Sequence, residues 1–474
     1  MADSEPAPPA PPAPALVRGL GLLDATTLII GSVIGSGIFF APSYMAGNVA
    51  SPAVLLGLWL VGGFLTLAGA LCYAEMAAAM PRAGGQYVFL SEAFSPLWGF
   101  LYGWTLLLAI NTGFVAAVAV AFAKTLGVFV PSVGEGQVLF ALGSWRFSSA
   151  GAVALVVIGA LTYLNVTGLR TGAVVQNVFT IAKVAAVVIL VVLALTASSG
   201  ATGGFASPPG VPLGPSARAA GLGVFAALAG AMAKALFSYD AWNSVTFAAE
   251  EVRDPEKNLP RALILGTLGV TVVYCSAVAV YLYVVPIAEM ARVPEQRIAT
   301  ETATRLMGPA GGAFIAVAIL VSTFGCVNGL TLAGARVAYA MARDGLFFRV
   351  MASVHPKHRT PAAALVLHGG VAALLTLTGT YGDLLDLTAF SSLLFNALTV
   401  CGLFVLRRKR PTLHRPYRVL GYPVLPGLYI AVAAFFLVYI PVANPKYAGL
   451  GLLLTALGVP AYAFWKGRRS VTHG

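Results

Sequence analysis

Apolar runs long enough to cross a bilayer recur along this chain, and they leave it little choice of fold. They fall at roughly 21–46, 52–80, 95–127, 148–166, 172–197, 222–249, 262–286, 310–341, 362–380, 384–406, 423–442 and 446–465. About 20 helical residues span the roughly 30 Å hydrocarbon core. Only 10% of the 474 residues are charged, against about 25% in a soluble globular chain. The expectation is an all-α polytopic membrane protein with 12 transmembrane helices, embedded in the lipid bilayer.

The net charge of +12 would point to nucleic acid in a soluble protein. Here it is read through topology, and no nucleic-acid partner is expected. With the N-terminus inside, most basic residues fall in cytoplasmic segments: Arg18, Arg82, Arg170, the Arg253/Lys257/Arg261 group, Arg343 to Arg359, Arg407 to Arg418, and Lys466/Arg468/Arg469. Arg146, Arg218, Arg292, Arg297 and Lys446 fall outside. The positive-inside rule then puts both termini in the cytoplasm and the protein in the cell membrane.

Residues 1–19 are Pro/Ala-rich and lack the basic start and cleavage site of a signal peptide. They read as a disordered cytoplasmic tail, and 467–474 as a second short tail. Cys72, Cys275, Cys326 and Cys401 all lie in apolar runs, which predicts neither a disulfide framework nor a metal site. No HExxH and no nucleophile elbow is present, so an enzyme is not expected. No cofactor is expected either.

Two runs are interrupted. Gly31-Ser32-Val33-Ile34-Gly35-Ser36-Gly37-Ile38-Phe39 sits mid-run, where each Gly disfavours helix by about 1 kcal/mol relative to Ala. Broken backbone in a membrane is tolerated only where protein or a watery cavity satisfies it. The competing reading is a close-packing face, with Gly31 and Gly35 at small-xxx-small spacing. Pro42 follows soon after, in keeping with a break. In a broken helix, the N–H groups of Ser36, Gly37 and Ile38 would face a cavity from a helix N-terminus and suit a carboxylate. Unpaired carbonyls around Val33 and Ile34 would suit an ammonium. Two opposed helix ends thus fit an α-amino acid zwitterion.

The sixth run carries the second interruption, Leu236-Phe237-Ser238-Tyr239-Asp240-Ala241-Trp242-Asn243. Breaks at corresponding places five runs apart point to an inverted-repeat transporter. The repeats would occupy 20–200 (helices 1–5) and 221–407 (helices 6–10), with helices 11 and 12 at 419–466. Lys183 lies about eleven residues into its run, roughly 16 Å deep. A charge there is functional by default. It could tie two helices together where a sodium ion would otherwise sit, or shuttle a proton. Asp240 either faces a substrate amine or caps the second half-helix. Phe237 is a candidate gate; Tyr239 and Trp242 gate or pack. Lys234 reads as a vestibule or snorkelling residue, and Glu75 as internally paired.

Four stretches carry a family likeness: Ile30 to Pro42, Tyr73 to Phe94, Phe237 to Pro260 and Ser322 to Gly345, together with Gln176 to Lys183. In them the chain resembles the amino acid–polyamine–organocation superfamily, and within it the L-type amino acid transporter family and its bacterial relatives. The resemblance implies a leucine-transporter-like 5+5 inverted repeat with discontinuous helices 1 and 6, and sodium-independent amino acid transport. It places the substrate at Val33, Ile34, Gly35, Ser36, Gly37, Ile38, Phe237, Ser238 and Asp240, with Ser36 and Gly37 amides on its carboxylate. Val33 and Phe237 carbonyls would take its amine, Phe237 would gate the external side, and Lys183 would stand in place of a sodium site. Human members often have Gly where this chain has Asp240. Their heavy chain attaches through a cysteine between spans three and four, and 128–147 has none, so no covalent heavy chain is expected and the protein would be a monomer or homodimer. The substrate is expected to be a neutral L-amino acid, moved by exchange or proton symport. The alternatives are a cationic amino acid or polyamine transporter of this fold, or a transporter-like amino acid sensor.

Overall fold

The computed structural model describes residues 16–143, 145–196, 204–205, 213–377, 381–443 and 445–471. Among these, ten helices are long and apolar enough to cross a membrane, from Leu22–Asn48 to Pro445–Arg468. Two further apolar helices, Val224–Ser238 and Ala362–Thr376, are shorter. At 15 residues each they reach about 22 Å at the helical rise, short of the hydrocarbon core. The first stops because the chain breaks at Tyr239; the second ends just before 378–380, which lie outside the described residues.

The first four spans each pack on the span five positions later. Gly37–Asn48 lies on Val224–Ser238, and Pro52–Ala79 runs along Pro255–Val284. Asn111–Leu126 lies on Pro309–Arg343, and Ser149–Val166 on Ala362–Thr376. Pro309–Arg343 is the axis of the bundle, packed also on Leu169–Thr196 and Leu22–Val33. By contrast, only about a fifth of the most apolar stretch of Val424–Ala443 and of Pro445–Arg468 is covered by protein.

Two expectations need correction. The chain is not wholly α-helical: Val138–Leu142 and Trp145–Ser148 form an antiparallel hairpin, turning at Gly143 with φ +61°. The run Val-Leu-Phe-Ala-Leu favours strand and lies between spans, where no bilayer demands helix. At the other end of the chain, the last helix continues to Val471, so the short tail expected from 467 is largely helical. Residues 1–15 of the expected N-terminal tail lie outside the described residues.

One end of the bundle is closed by backbone pairing and buried charge. Leu20 N–H donates to Glu251 O (3.0 Å) and Arg253 N–H to Leu20 O (2.8 Å), while Gly84 N–H donates to Phe247 O (2.9 Å). Beneath them Arg336, 1% exposed, forms a two-pronged ion pair with the fully buried Glu251, at 2.7 and 3.1 Å. Leu332 O takes another of its N–H groups. Removing one partner of such a pair leaves an uncompensated buried charge, a loss of about 3–5 kcal/mol. Arg336→Leu is therefore expected to lower the thermal unfolding midpoint of the detergent-solubilised protein, with the Arg336→Leu/Glu251→Leu double variant recovering most of the loss.

Candidate functional site

The first break is a true interruption. Leu22–Val33 ends at Ile34, whose ψ of 83° leaves the helical region. Gly35 N–H turns back to Val33 O at 2.8 Å, and a new helix starts at Gly37 with Ser36 as its N-cap residue. The first hydrogen bond of that helix runs from Phe39 N–H to Ser36 O (3.1 Å). The Gly37 and Ile38 amides stand ahead of it and, among the described residues, have no backbone partner. The glycines also serve packing: a Cβ on Gly31 would fall 1.9 Å from Gln176 Nε2.

In the second break, Val224–Ser238 ends as the Tyr239 and Asp240 amides fold back on Leu236 O (3.2 Å) and Phe237 O (3.1 Å). Ala241 has φ +70°, an uncommon conformation for a residue with a Cβ. The chain resumes as a 3₁₀ segment, Ser244–Glu251, not as the α half-helix expected. Asp240 does not cap that segment. Its Oδ1 accepts Ala241 N–H at 2.8 Å, and the carboxylate also meets Ser392 and Asn396.

The two breaks touch. A Cβ on Gly37 would lie 2.6 Å from Ser238 Oγ and 3.1 Å from Ser238 Cα. Tyr274, on Pro255–Val284, staples them by donating its one proton between Val33 O (2.9 Å) and Ser238 O (3.0 Å). This contact corrects the expectation of open carbonyls. Besides Tyr274, Val33 O takes Gly35 N–H, and Ile34 O takes Lys183 Nζ (2.7 Å) and Ser322 Oγ (2.9 Å). Ser32 O takes the Cys326 thiol at 3.0 Å. Among the described residues the Gly37 and Ile38 amides have no backbone partner, while the carbonyl side of the first break is filled by the protein.

Lys183 is 1% exposed. Its Nζ lies 3.0 Å from Gly31 O, 2.7 Å from Ile34 O and 2.8 Å from Ser322 O. Three N–H groups meet three carbonyls, the full complement of an ammonium. One side chain thus ties Leu169–Thr196 to the broken first helix and to Pro309–Arg343.

Of the expected site residues, Val33, Gly35, Ser36, Gly37, Phe237, Ser238 and Asp240 line one small cavity of about 20 Å³. Ile34 and Ile38 do not; both are fully buried in the packing around it. Phe114, Ala241 and Cys326 are also on its wall. Phe237 stacks on Phe114 with centroids 5.1 Å apart. A second small cavity of about 20 Å³, lined by several polar side chains, shares Phe114, Asp240 and Ala241 with the first and adds Gln86, Tyr102, Asn111, Ser244 and Asn396. Tyr274, Ser322 and Asn111 were missed in the sequence because short polar pairs within long apolar runs carry no local mark of a site.

Other expectations resolve simply. Glu75 is internally paired, with Arg407 (2.6 Å), Arg415 (3.3 Å) and Val419 N–H (2.8 Å). Tyr239 and Trp242 pack, the former donating to Trp59 O (3.0 Å) and the latter edge-on to Tyr73. Among the described residues no cluster of three or more His, Cys, Asp or Glu could hold a metal. Open amides and a carboxylate in one cavity are chemically suited to a ligand with an anionic and a cationic end.

Residues 20–457 match the family described as amino acid permease. The chain is 31% identical to the serine/threonine exchanger SteT of Bacillus subtilis over 457 residues, covering 96% of this chain and 98% of that protein. It is 30% identical to the mouse Asc-type amino acid transporter 1, covering 97% and 84%. It is 31% identical to the human large neutral amino acids transporter small subunit 2, covering 95% and 82%.

The Tyr274 staple generates a direct test. A hydrogen bond contributes about 1 kcal/mol net, so Tyr274→Phe is expected to destabilise by about that amount. Hydrogen exchange should speed up at 34–38 and 239–243 more than in the helices on either side.

Proposed function

The chain belongs to the amino acid permease family, a family of membrane transporters rather than enzymes, and from that premise we propose a sodium-independent exchanger of small neutral L-amino acids. The observation that carries the reading is the pair of apposed helix breaks, with Gly37 and Asp240 about one cavity. The substrate carboxylate sits on the Ser36–Ile38 amides at the positive end of the new helix. Because protein donors fill the Val33 and Ile34 carbonyls, the amine is taken by Asp240, with the Phe237 carbonyl beside it. The small cavity favours small neutral substrates, and a serine/threonine exchanger is among the relatives.

On this reading the ten long helices and two shorter ones make twelve spans, with both termini cytoplasmic in the cell membrane. The pairing of spans five apart is what an inverted repeat of 20–200 on 221–407 produces, with the last two helices peripheral. Alternating access follows as the broken helices rock against the scaffold that holds Lys183. The Phe237–Phe114 stack closes the external side, and the Arg336–Glu251 end closes the cytoplasmic one. The protein works without a covalent heavy chain.

Lys183 favours exchange over proton symport. All three of its protons have acceptors, and losing one would leave a carbonyl facing a lone pair. Uptake of labelled serine into proteoliposomes preloaded with serine is therefore expected to far exceed uptake into empty vesicles. Strong uptake into empty vesicles driven by an inward proton gradient would overturn the exchange reading. Hydrogen bonds from charged groups contribute about 1.5–3 kcal/mol each, so Lys183→Ala should reduce exchange at least about tenfold while the protein still inserts.

A further inference from the structure

The polar cavity behind Asp240 contains a device that the transport reading does not use. Asn111 lies on its wall, directly after a five-residue π-helical turn, Leu106–Ile110. Such turns re-aim the residues that follow them. Its Oδ1 lies 2.7 Å from Nε2 of His368, on Ala362–Thr376. His368 is fully buried and Asn111 is 4% exposed. The pair fits because Gly334 has no side chain: a Cβ there would fall 2.3 Å from Asn111 Oδ1 and 2.6 Å from His368 Nε2.

Hydrogen-bond accounting decides which way the amide faces. His368 Nδ1 is buried and has no partner among the described residues. If Nε2 accepted from the amide, the ring proton would sit on Nδ1 as a buried orphan donor, the rarer and costlier case. With Nε2–H donating to Oδ1, Nδ1 is only an unused acceptor. The amide is then fixed with its oxygen toward His368 and its Nδ2 toward the cavity. The same cavity holds Gln86 Nε2, Tyr102 Oη and Ser244 Oγ, all buried and without partners among the described residues. An amide N–H₂ can only donate, and the two hydroxyls also can. A group seated there that brings an acceptor would satisfy these donors.

We propose that His368 is a positioning residue that turns Asn111 to donate into this cavity, and that the cavity selects amino acids whose side chains carry a hydroxyl or carboxamide. The proposal rests on the reading of the chain as an amino acid carrier whose substrate side chain points past Asp240. A site built to hydrogen-bond a substrate discriminates strongly against an isostere lacking the group.

The test compares L-threonine with its isostere L-valine in reconstituted vesicles, reading the ratio of their kcat/KM values. Losing one such hydrogen bond should lower the threonine/valine ratio about tenfold in both Asn111→Leu and His368→Leu, chiefly through the threonine KM. His368→Gln, which can still donate to Oδ1, should restore it. Gly334→Ala, which crowds the pair without removing either member, should lower it too, and serves if His368→Leu fails to fold. An unchanged ratio in Asn111→Leu means the side chain does not enter this cavity and overturns the proposal, whereas no uptake of either amino acid by the unsubstituted protein would overturn the carrier reading instead. A ratio that falls in Asn111→Leu but holds in His368→Leu or Gly334→Ala overturns the positioning role alone. Equal losses for both substrates in His368→Leu, carried by kcat, mark a merely structural histidine and also overturn it.

Discussion

Unpaired backbone has no place in a bilayer, and this structure is arranged around two places where it is released. Each unsatisfied N–H or C=O in hydrocarbon costs several kcal/mol, so a broken helix survives only if its neighbours supply partners. Lys183, Ser322, Tyr274 and Cys326 do this for the first break, from three different helices. Their common effect is to fill the carbonyls and leave the amides. The break is therefore polarised as well as open, presenting donors at the start of Gly37–Asn48.

Small residues make the polarity geometrically possible. Gly37 lets the first break lie on Ser238, and Gly31 lets the Gln176 and Thr180 side chains approach the first helix. On the axial helix, a Cβ on Gly329 would fall 2.5 Å from Ser32 Oγ, and Gly334 leaves room for the Asn111–His368 pair. The missing side chain at Gly334 is what lets the amide and the imidazole meet there. Glycine in these spans thus has two separate uses, interrupting helices and admitting polar side chains between them.

The spans were legible in the sequence because run length and hydropathy are local properties. The breaks were legible because three glycines, two serines and a mid-membrane acid violate the helical pattern openly. Lys183 was legible because a lysine at that depth has few structural excuses. What could not be read was pairing across helices. Nothing near Tyr274 marks it as a staple rather than a core aromatic, and nothing near Val33 says that its carbonyl is already taken. The hairpin at 138–148 was missed because attention to membrane spans treats the segments between them as mere connections. Asp240 left two readings open in the sequence, and the structure shows its carboxylate on the Ala241 amide, Ser392 and Asn396 rather than capping the following segment.

On the proposed reading, filling the carbonyls shifts recognition of the substrate amine. Where the carbonyls of a first break are free, they can receive an ammonium by themselves, and a residue without charge suffices at the second. Here Val33 O has two donors and Ile34 O has two, which exhausts the two lone pairs of each. An incoming amine has to displace Tyr274 or find another acceptor. Asp240 lies on the same cavity wall, and it supplies a full negative charge where a neighbouring carbonyl would offer only a dipole. The acid in the second break and the tyrosine staple in the first are therefore two halves of one arrangement. One closes the carbonyl site to the substrate, and the other replaces it across the cavity.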